Sequence, residues 1–148
     1  MRLVIQRTSG VELVVNKEPY SMSAKGLLIL FGTKEGDTAQ FIPKMADKTV
    51  NLRIFEDENG KMNLSALDIG AELMVVSQFT LYADLKKGRR PSFNDAQNPV
   101  EAEKLYDLFV ETLKTSGLKV ATGSFGAEMD LKFNNDGPVT IILDDEIF

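Results

Sequence analysis

Two spacings of apolar residues organise the chain. A period of two runs through residues 2–8 (RLVIQRT) and 11–15 (VELVV), which read as strands joined by Ser9-Gly10. Residues 16–19 (NKEP) supply a turn and 20–23 a short returning strand. Residues 26–33 (GLLILFGT) form an uninterrupted apolar run of strand length, the mark of a strand buried on both faces. A helical period then takes over, with Phe41, Met45 and Thr49 on one stripe beside Ile42, Ala46 and Val50. Asp37 with Gln40 three residues on has the form of a capping box, although Pro43 suits only a first turn and favours a start near Ile42. Arg53 to Phe55 is short and extended, and Asn59-Gly60 marks a hairpin turn.

Residues 71–83 (AELMVVSQFTLYA) read as one long strand, with Ser77, Phe79 and Leu81 on one face and Gln78 and Thr80 on the other. A loop of about sixteen residues follows, long enough to suggest function. Asn98, Pro99 and Glu101 then start a second helix with the stripe Leu105, Leu108, Phe109 and Leu113, ended by Gly117. Strands follow at 119–122, 127–133 and 139–143, the last entered through Gly137-Pro138. About eight or nine strands and two helices, without regular β-α-β alternation, point to an α+β fold. Pairing is expected to be mainly antiparallel, in a partly closed barrel with two main helices and a single domain over 1–148.

Composition narrows the chemistry. Hydrophobic residues make up 43% and charged residues 26% of 148, enough for a core. A net charge of −5 argues against nonspecific coating of nucleic acid. No apolar run is long enough to span a bilayer, and no secretory leader is visible, so a cytoplasmic protein without a membrane partner is expected. The chain has no Cys and no His, which removes disulfides, the common zinc sites and every Ser-His-Asp triad. No phosphate-loop or G-x-S-x-G motif is present. No metal or cofactor is expected.

Polar strand ends and glycine-rich turns remain as candidate sites. SQFTL (Ser77, Gln78, Phe79, Thr80, Leu81) reads as an ordinary strand or as a site, and NNDGPVT as an ordinary turn or as a site. TGSFGAEM, with glycines flanking Ser124-Phe125, is a hairpin loop or a pocket lip. Lys86, Lys87, Arg89 and Arg90 form either a solvated loop or a phosphate-contacting one.

The segments MRLVIQR, RIFEDENGKMNLS, VVSQFTLYAD, GRRPSF, LYDLFVETL, TGSFGAEMDL and NNDGPVT follow in the order and spacing of D-aminoacyl-tRNA deacylases. The chain resembles that family over essentially its whole length. SQFTL combined with N-x-G-P-x-T about sixty residues on is the specific part of the match. The resemblance implies an esterase that clears D-amino acids, and mischarged glycine, from tRNA. It implies a homodimer with the active site at the subunit interface. Each subunit would offer a cis Gly137-Pro138 peptide to its partner's pocket, with Phe125 at the pocket lip. Ser77, Gln78, Phe79 and Thr80 would carry catalysis, through backbone N–H groups near Phe79 and Thr80. Thr80 would act as nucleophile or as an orienting group, and no general base for it is visible. L-residues would be rejected by collision with the Gly-Pro backbone. Lys86, Lys87, Arg89 and Arg90 would meet acceptor-stem phosphates. Two alternatives stand beside this reading: a related deacylase acting on an L-aminoacyl-tRNA, and a noncatalytic RNA-binding module. The acidic tail DDEIF has no role in any of them.

Overall fold

The structure, a computed structural model, describes residues 1–148. Its centre is a mixed sheet of strands β1 (Arg2–Val15), β2 (Glu18–Ser23), β3 (Gly26–Gly32), β6 (Glu72–Ser77), β7 (Val120–Thr122) and β8 (Met129–Asp144). The order is β2-β1-β3-β6-β7, with β8 along the other edge of β1. The sheet curls until the Ser21 hydroxyl on β2 donates to the Thr122 carbonyl on β7 at 2.7 Å, which nearly closes a barrel. A small hairpin, β4 (Phe55–Glu56) and β5 (Met62–Leu64), stands apart.

Helices α1 (Ile42–Asn51) and α3 (Pro99–Lys114) cover the outer face, with the short α2 (Ala66–Ile69) beside them. Alternation on β1 and β3 sends Leu3, Ile5, Leu27, Ile29 and Phe31 to that face, where they meet Met45, Leu105, Phe109 and Leu113. Phe31 stacks on Phe109 at 4.9 Å and meets Tyr106 edge-on at 6.1 Å. The opposite face, inside the curl, is filled by Val11, Leu13, Leu28, Met74 and Val76. The apolar run on β3 is therefore buried on both sides, as its composition predicts.

Local signals held where the chain answers to its own neighbours. Asn98 caps α3 by accepting from the Glu101 amide at 3.1 Å, with Pro99 in the first turn. Gly60 turns the hairpin with φ of 71°. Helix α1 starts at Ile42, as Pro43 indicated, and Asp37 does not cap it. The Asp37 carboxylate instead accepts from the Lys34 amide at 2.8 Å and pairs with the Met1 ammonium at 2.7 Å.

Three expectations change and one is refined. The pieces 2–8 and 11–15 are one strand, β1, whose pairing is irregular around Ser9-Gly10. The pieces 127–133 and 139–143 likewise merge into β8. Pairing is mainly antiparallel, as expected, but not wholly: β3 and β6 run parallel, as do β6 and β7. The crossovers were hidden because one contains α1, the β4–β5 hairpin and α2, and the other a long loop before α3. Finally, the strand expected over 71–83 stops at Ser77, and Phe79–Tyr82 form a 3-10 turn. We expect Phe109→Ala, which empties the stack on Phe31, to cost about 3–5 kcal/mol of unfolding free energy in urea titration.

Candidate active site

The turn after β6 is made by the neighbouring strand. The Gln78 amide donates to the Phe31 carbonyl at 2.7 Å, the last bond of the β3–β6 pairing. Gln78 then leaves the strand with φ −147° and ψ 82°. The turn folds back over Gly32, where an added Cβ would sit 2.9 Å from the Gln78 carbonyl oxygen and 3.1 Å from the Leu81 Cβ. Only glycine allows that approach. Ser77, Phe79 and Leu81 therefore do not share one strand face. The Leu81 amide reaches the Gln78 carbonyl at 3.3 Å and the Ala83 amide the Thr80 carbonyl at 3.1 Å. The Phe79 and Thr80 amides open the turn, ahead of its first internal bond.

Beside this turn lies a cleft of about 620 Å³. Ser77, Gln78 and Phe79 form one wall, Phe93 and Ala96 to Pro99 a second, and Phe125, Gly126 and Ala127 a third. Phe79 is exposed and meets Phe93 edge-on at 4.9 Å. Phe125 leans on Tyr106 at 5.9 Å, and the Tyr106 hydroxyl donates to the Val75 carbonyl at 2.8 Å. Burial raises the Tyr106 phenol well above its ordinary pKa, so it stays neutral and serves as a strut. Thr80 is not part of the lining. Its hydroxyl accepts from the Gln78 side-chain amide, and no carboxylate or lysine is bonded to it.

The Gly-Pro segment lies elsewhere. Gln6 pairs with Thr140 and Thr8 with Asn135, so residues 136–139 all stand opposite Arg7 and β8 bulges outward. The Gly137-Pro138 peptide is cis. Arg7, almost wholly buried, donates from Nε to the Asp136 carbonyl at 2.9 Å and from Nη1 to the Ile54 carbonyl at 2.7 Å. Its Nε also lies 3.4 Å from the Asp136 carboxylate. Asn135 spans the kink from the other side: its Oδ1 accepts from the Val139 amide at 2.6 Å, and its Nδ2 donates to Thr140 Oγ1 at 2.9 Å. A Cβ on Gly137 would lie 2.7 Å from Val139 Cγ2 and 3.1 Å from Arg7 Nη2.

The same strands measure the separation. Leu3 pairs with Phe31 beside the cleft, whereas Arg7 pairs with Leu27. Four residues of strand, about 13 Å, lie between the two levels. The structure thus brings Ser77, Gln78, Phe79 and Phe125 together at one cleft and leaves Gly137 and Pro138 outside it.

Lys86, Lys87, Arg89 and Arg90 are exposed on the loop whose far limb carries Phe93 into the cleft wall. Asp84 and Ser92 exchange backbone bonds of 2.7 and 3.0 Å at its neck. None of the four cations is ion-paired within the chain. Sequence reasoning passed over Arg7, Asn135 and Gly32. Arg7 left a signal, since it continues the inward register of Leu3 and Ile5 with a charge.

A family profile described as D-Tyr-tRNA(Tyr) deacylase matches residues 4–144. A Clostridium beijerinckii protein named D-aminoacyl-tRNA deacylase is 52% identical over 144 residues, covering 97% of each chain. One of the same name from Aquifex aeolicus is 53% identical with the same coverage. Among solved structures, one titled c-Myc DNA Unwinding Element Binding Protein superposes with a TM-score of 0.91 at 38% identity, covering 98% of this chain and 99% of that one. A second, titled as a probable eukaryotic D-amino acid tRNA deacylase, gives 0.82 at 19% identity, covering 96% of this chain and 97% of that one, and shares the fold.

Gly137 has φ of +138° in addition to its crowded Cβ position. Gly137→Ala is therefore expected to lose about 1–3 kcal/mol of stability by chemical denaturation, against no more than a few tenths for a substitution at an open surface site.

Proposed function

The chain belongs to the D-Tyr-tRNA(Tyr) deacylase family, and from that premise we propose that it hydrolyses the ester of D-aminoacyl-tRNA, releasing free D-amino acid and tRNA. The observation that carries this reading is the turn at the cleft mouth. It opens with two backbone amides, those of Phe79 and Thr80, and Phe79 borders a cavity of about 620 Å³, in a chain with no His or Cys to form an ordinary nucleophile–base pair. Such amides suit the oxyanion of a tetrahedral ester intermediate, and one donor of that kind contributes roughly 3–4 kcal/mol. The scissile ester is already activated, so positioning and charge stabilisation suffice.

Thr80 is an orienting group in this mechanism. A nucleophilic hydroxyl needs a base to take its proton, and the group bonded to Thr80 is an amide donor. Water is the nucleophile, with the 2′-hydroxyl of the terminal ribose as its helper.

Handedness is read by main chain. Gly137 offers no Cβ, and Arg7 and Asn135 hold the segment from both sides. Its carbonyls catch the substrate ammonium. An L side chain then strikes the backbone, whereas a D side chain points to solvent. Glycine has nothing to exclude, so glycyl-tRNA is also cleaved. The distance of the segment from its own cleft supports a homodimer in which each kink enters the partner's cleft. Strand β8 has a free outer edge there, and Phe133 and Ile142 are exposed on it. The four loop cations meet tRNA phosphates.

Side-by-side hydrolysis of D-tyrosyl-, glycyl- and L-alanyl-tRNA tests the assignment. The first two are expected to be cleaved and the third spared; cleavage of L-alanyl-tRNA alone would favour an L-specific activity. Thr80→Ala is expected to lose about tenfold in kcat, whereas loss of a true nucleophile costs roughly 10⁴–10⁶. A substrate lacking the 2′-hydroxyl is expected to react more slowly. Neutralising Lys86, Lys87, Arg89 and Arg90 should weaken tRNA affinity and flatten its salt dependence, leaving the D/L ratio unchanged.

A further inference from the structure

The acidic tail, which the mechanism above does not use, closes on the reactive turn from behind. Arg2, the first residue of β1, donates from Nε to Asp144 Oδ1 at 2.9 Å and from Nη2 to Asp144 Oδ2 at 3.3 Å. Its remaining nitrogen, Nη1, donates to the Leu81 carbonyl at 3.1 Å. The guanidinium also lies over the Tyr82 ring, 5.2 Å from its centre. Leu81 and Tyr82 are the last two residues of the turn that Phe79 and Thr80 begin. One planar cation thus joins the C-terminal strand to the far end of the turn.

We propose that Arg2 and Asp144 are positioning residues that hold the Phe79–Tyr82 turn so that its leading amides face the cleft. This deepens the proposed function and rests on the assignment of those amides as oxyanion donors. A single 3-10 turn has little rigidity of its own, since its internal bonds are few and poorly aligned. An external clamp on a carbonyl at one end restrains the orientation of the amides at the other. The clamp has a firm base, because the backbone of Arg2 pairs with Gly32 on β3 and with Asp144 on β8. The fork is used in full: two nitrogens orient the guanidinium on the carboxylate and leave the third aimed at Leu81. A lysine ammonium has no such geometry. Asp37, Asp145 and Glu146 lie around the same cluster, and the bond to Asp144 raises the pKa of Arg2, which keeps it charged.

The test compares wild type with Arg2→Gln, Arg2→Lys, Asp144→Ala and the double variant Arg2→Gln/Asp144→Ala. Two readouts are taken: steady-state cleavage of D-tyrosyl-tRNA, and amide hydrogen exchange. Each variant is expected to lose roughly tenfold in kcat, with KM and the D/L ratio within about twofold of wild type. Arg2→Lys should not rescue. The double variant should be no worse than Arg2→Gln, because both changes remove one clamp. Amides 81–83 should exchange faster while those of α3 keep their protection. Wild-type kcat in both Arg2→Gln and Asp144→Ala overturns the proposal. So does unchanged exchange in the turn, or a kcat loss matched by faster exchange throughout the chain. An inactive wild type would remove the proposed function, while the exchange arm, which needs no substrate, would still decide whether the clamp exists.

Discussion

Strand β1 is hydrogen-bonded along both edges, and that double pairing sets the spacing on which the site depends. Its first half joins β3 on one side and β8 on the other. A strand held so cannot slide without turning every side chain to the wrong face. Leu3 and Ile5 lock the register by filling the outer core. Arg2 and Arg7 then stand at fixed levels on the same strand, one behind the Phe79–Tyr82 turn and one behind the Gly-Pro kink. The two segments to which the proposed function assigns its chemistry, far apart in sequence, are placed by one element.

The two arginines differ in setting. Arg7 is buried, and a buried guanidinium is tolerable only when its donors are met. Two main-chain carbonyls meet Nε and Nη1, and the Asp136 carboxylate lies beside the same Nε. The cation thereby ties the kink to Ile54, whose neighbour Phe55 is anchored in the core. Arg2 is partly exposed, and its value lies in geometry more than in energy. Both hold main chain in place, which is where the proposed mechanism, in a chain without histidine, looks for its precision. Gly32 and Gly137 belong to the same logic, since each lets main chain come where a Cβ would block it.

The sequence disclosed what neighbours in the chain decide. The Asn98 cap, the Asn59-Gly60 turn and the twofold burial of β3 are local matters and were legible. The early end of β6 was not, because Gly32 on another strand causes it. The parallel pairs were hidden by crossovers holding a hairpin and a loop, and the merging of 127–133 with 139–143 by turn-forming residues that make a bulge instead. Of the residues singled out in the sequence, Ser77, Gln78, Phe79 and Phe125 line one cleft, and Thr80, Gly137 and Pro138 do not. Arg2 and Arg7 were missed, since their partners lie far along the chain; Asn135 was missed although its partners, Val139 and Thr140, are close, because the bulge that lets it span the kink is set by the pairing of β8 with β1. The acidic tail looked idle because the contact of Asp144 with Arg2 exists only once β8 is laid against β1.

The most direct measurement is the rate of a purified hybrid dimer made from two differently tagged subunits, one carrying Gly137→Val and the other Gln78→Glu. The first subunit has a spoiled kink and an intact cleft; the second has the reverse, with a carboxylate set beside the oxyanion position. Each parent dimer should be inactive on D-tyrosyl-tRNA. The hybrid contains one cleft facing an intact kink and should recover about half the wild-type rate, as expected for one working site of two. A hybrid as inactive as its parents, or a wild type fully active as a monomer, would contradict the account.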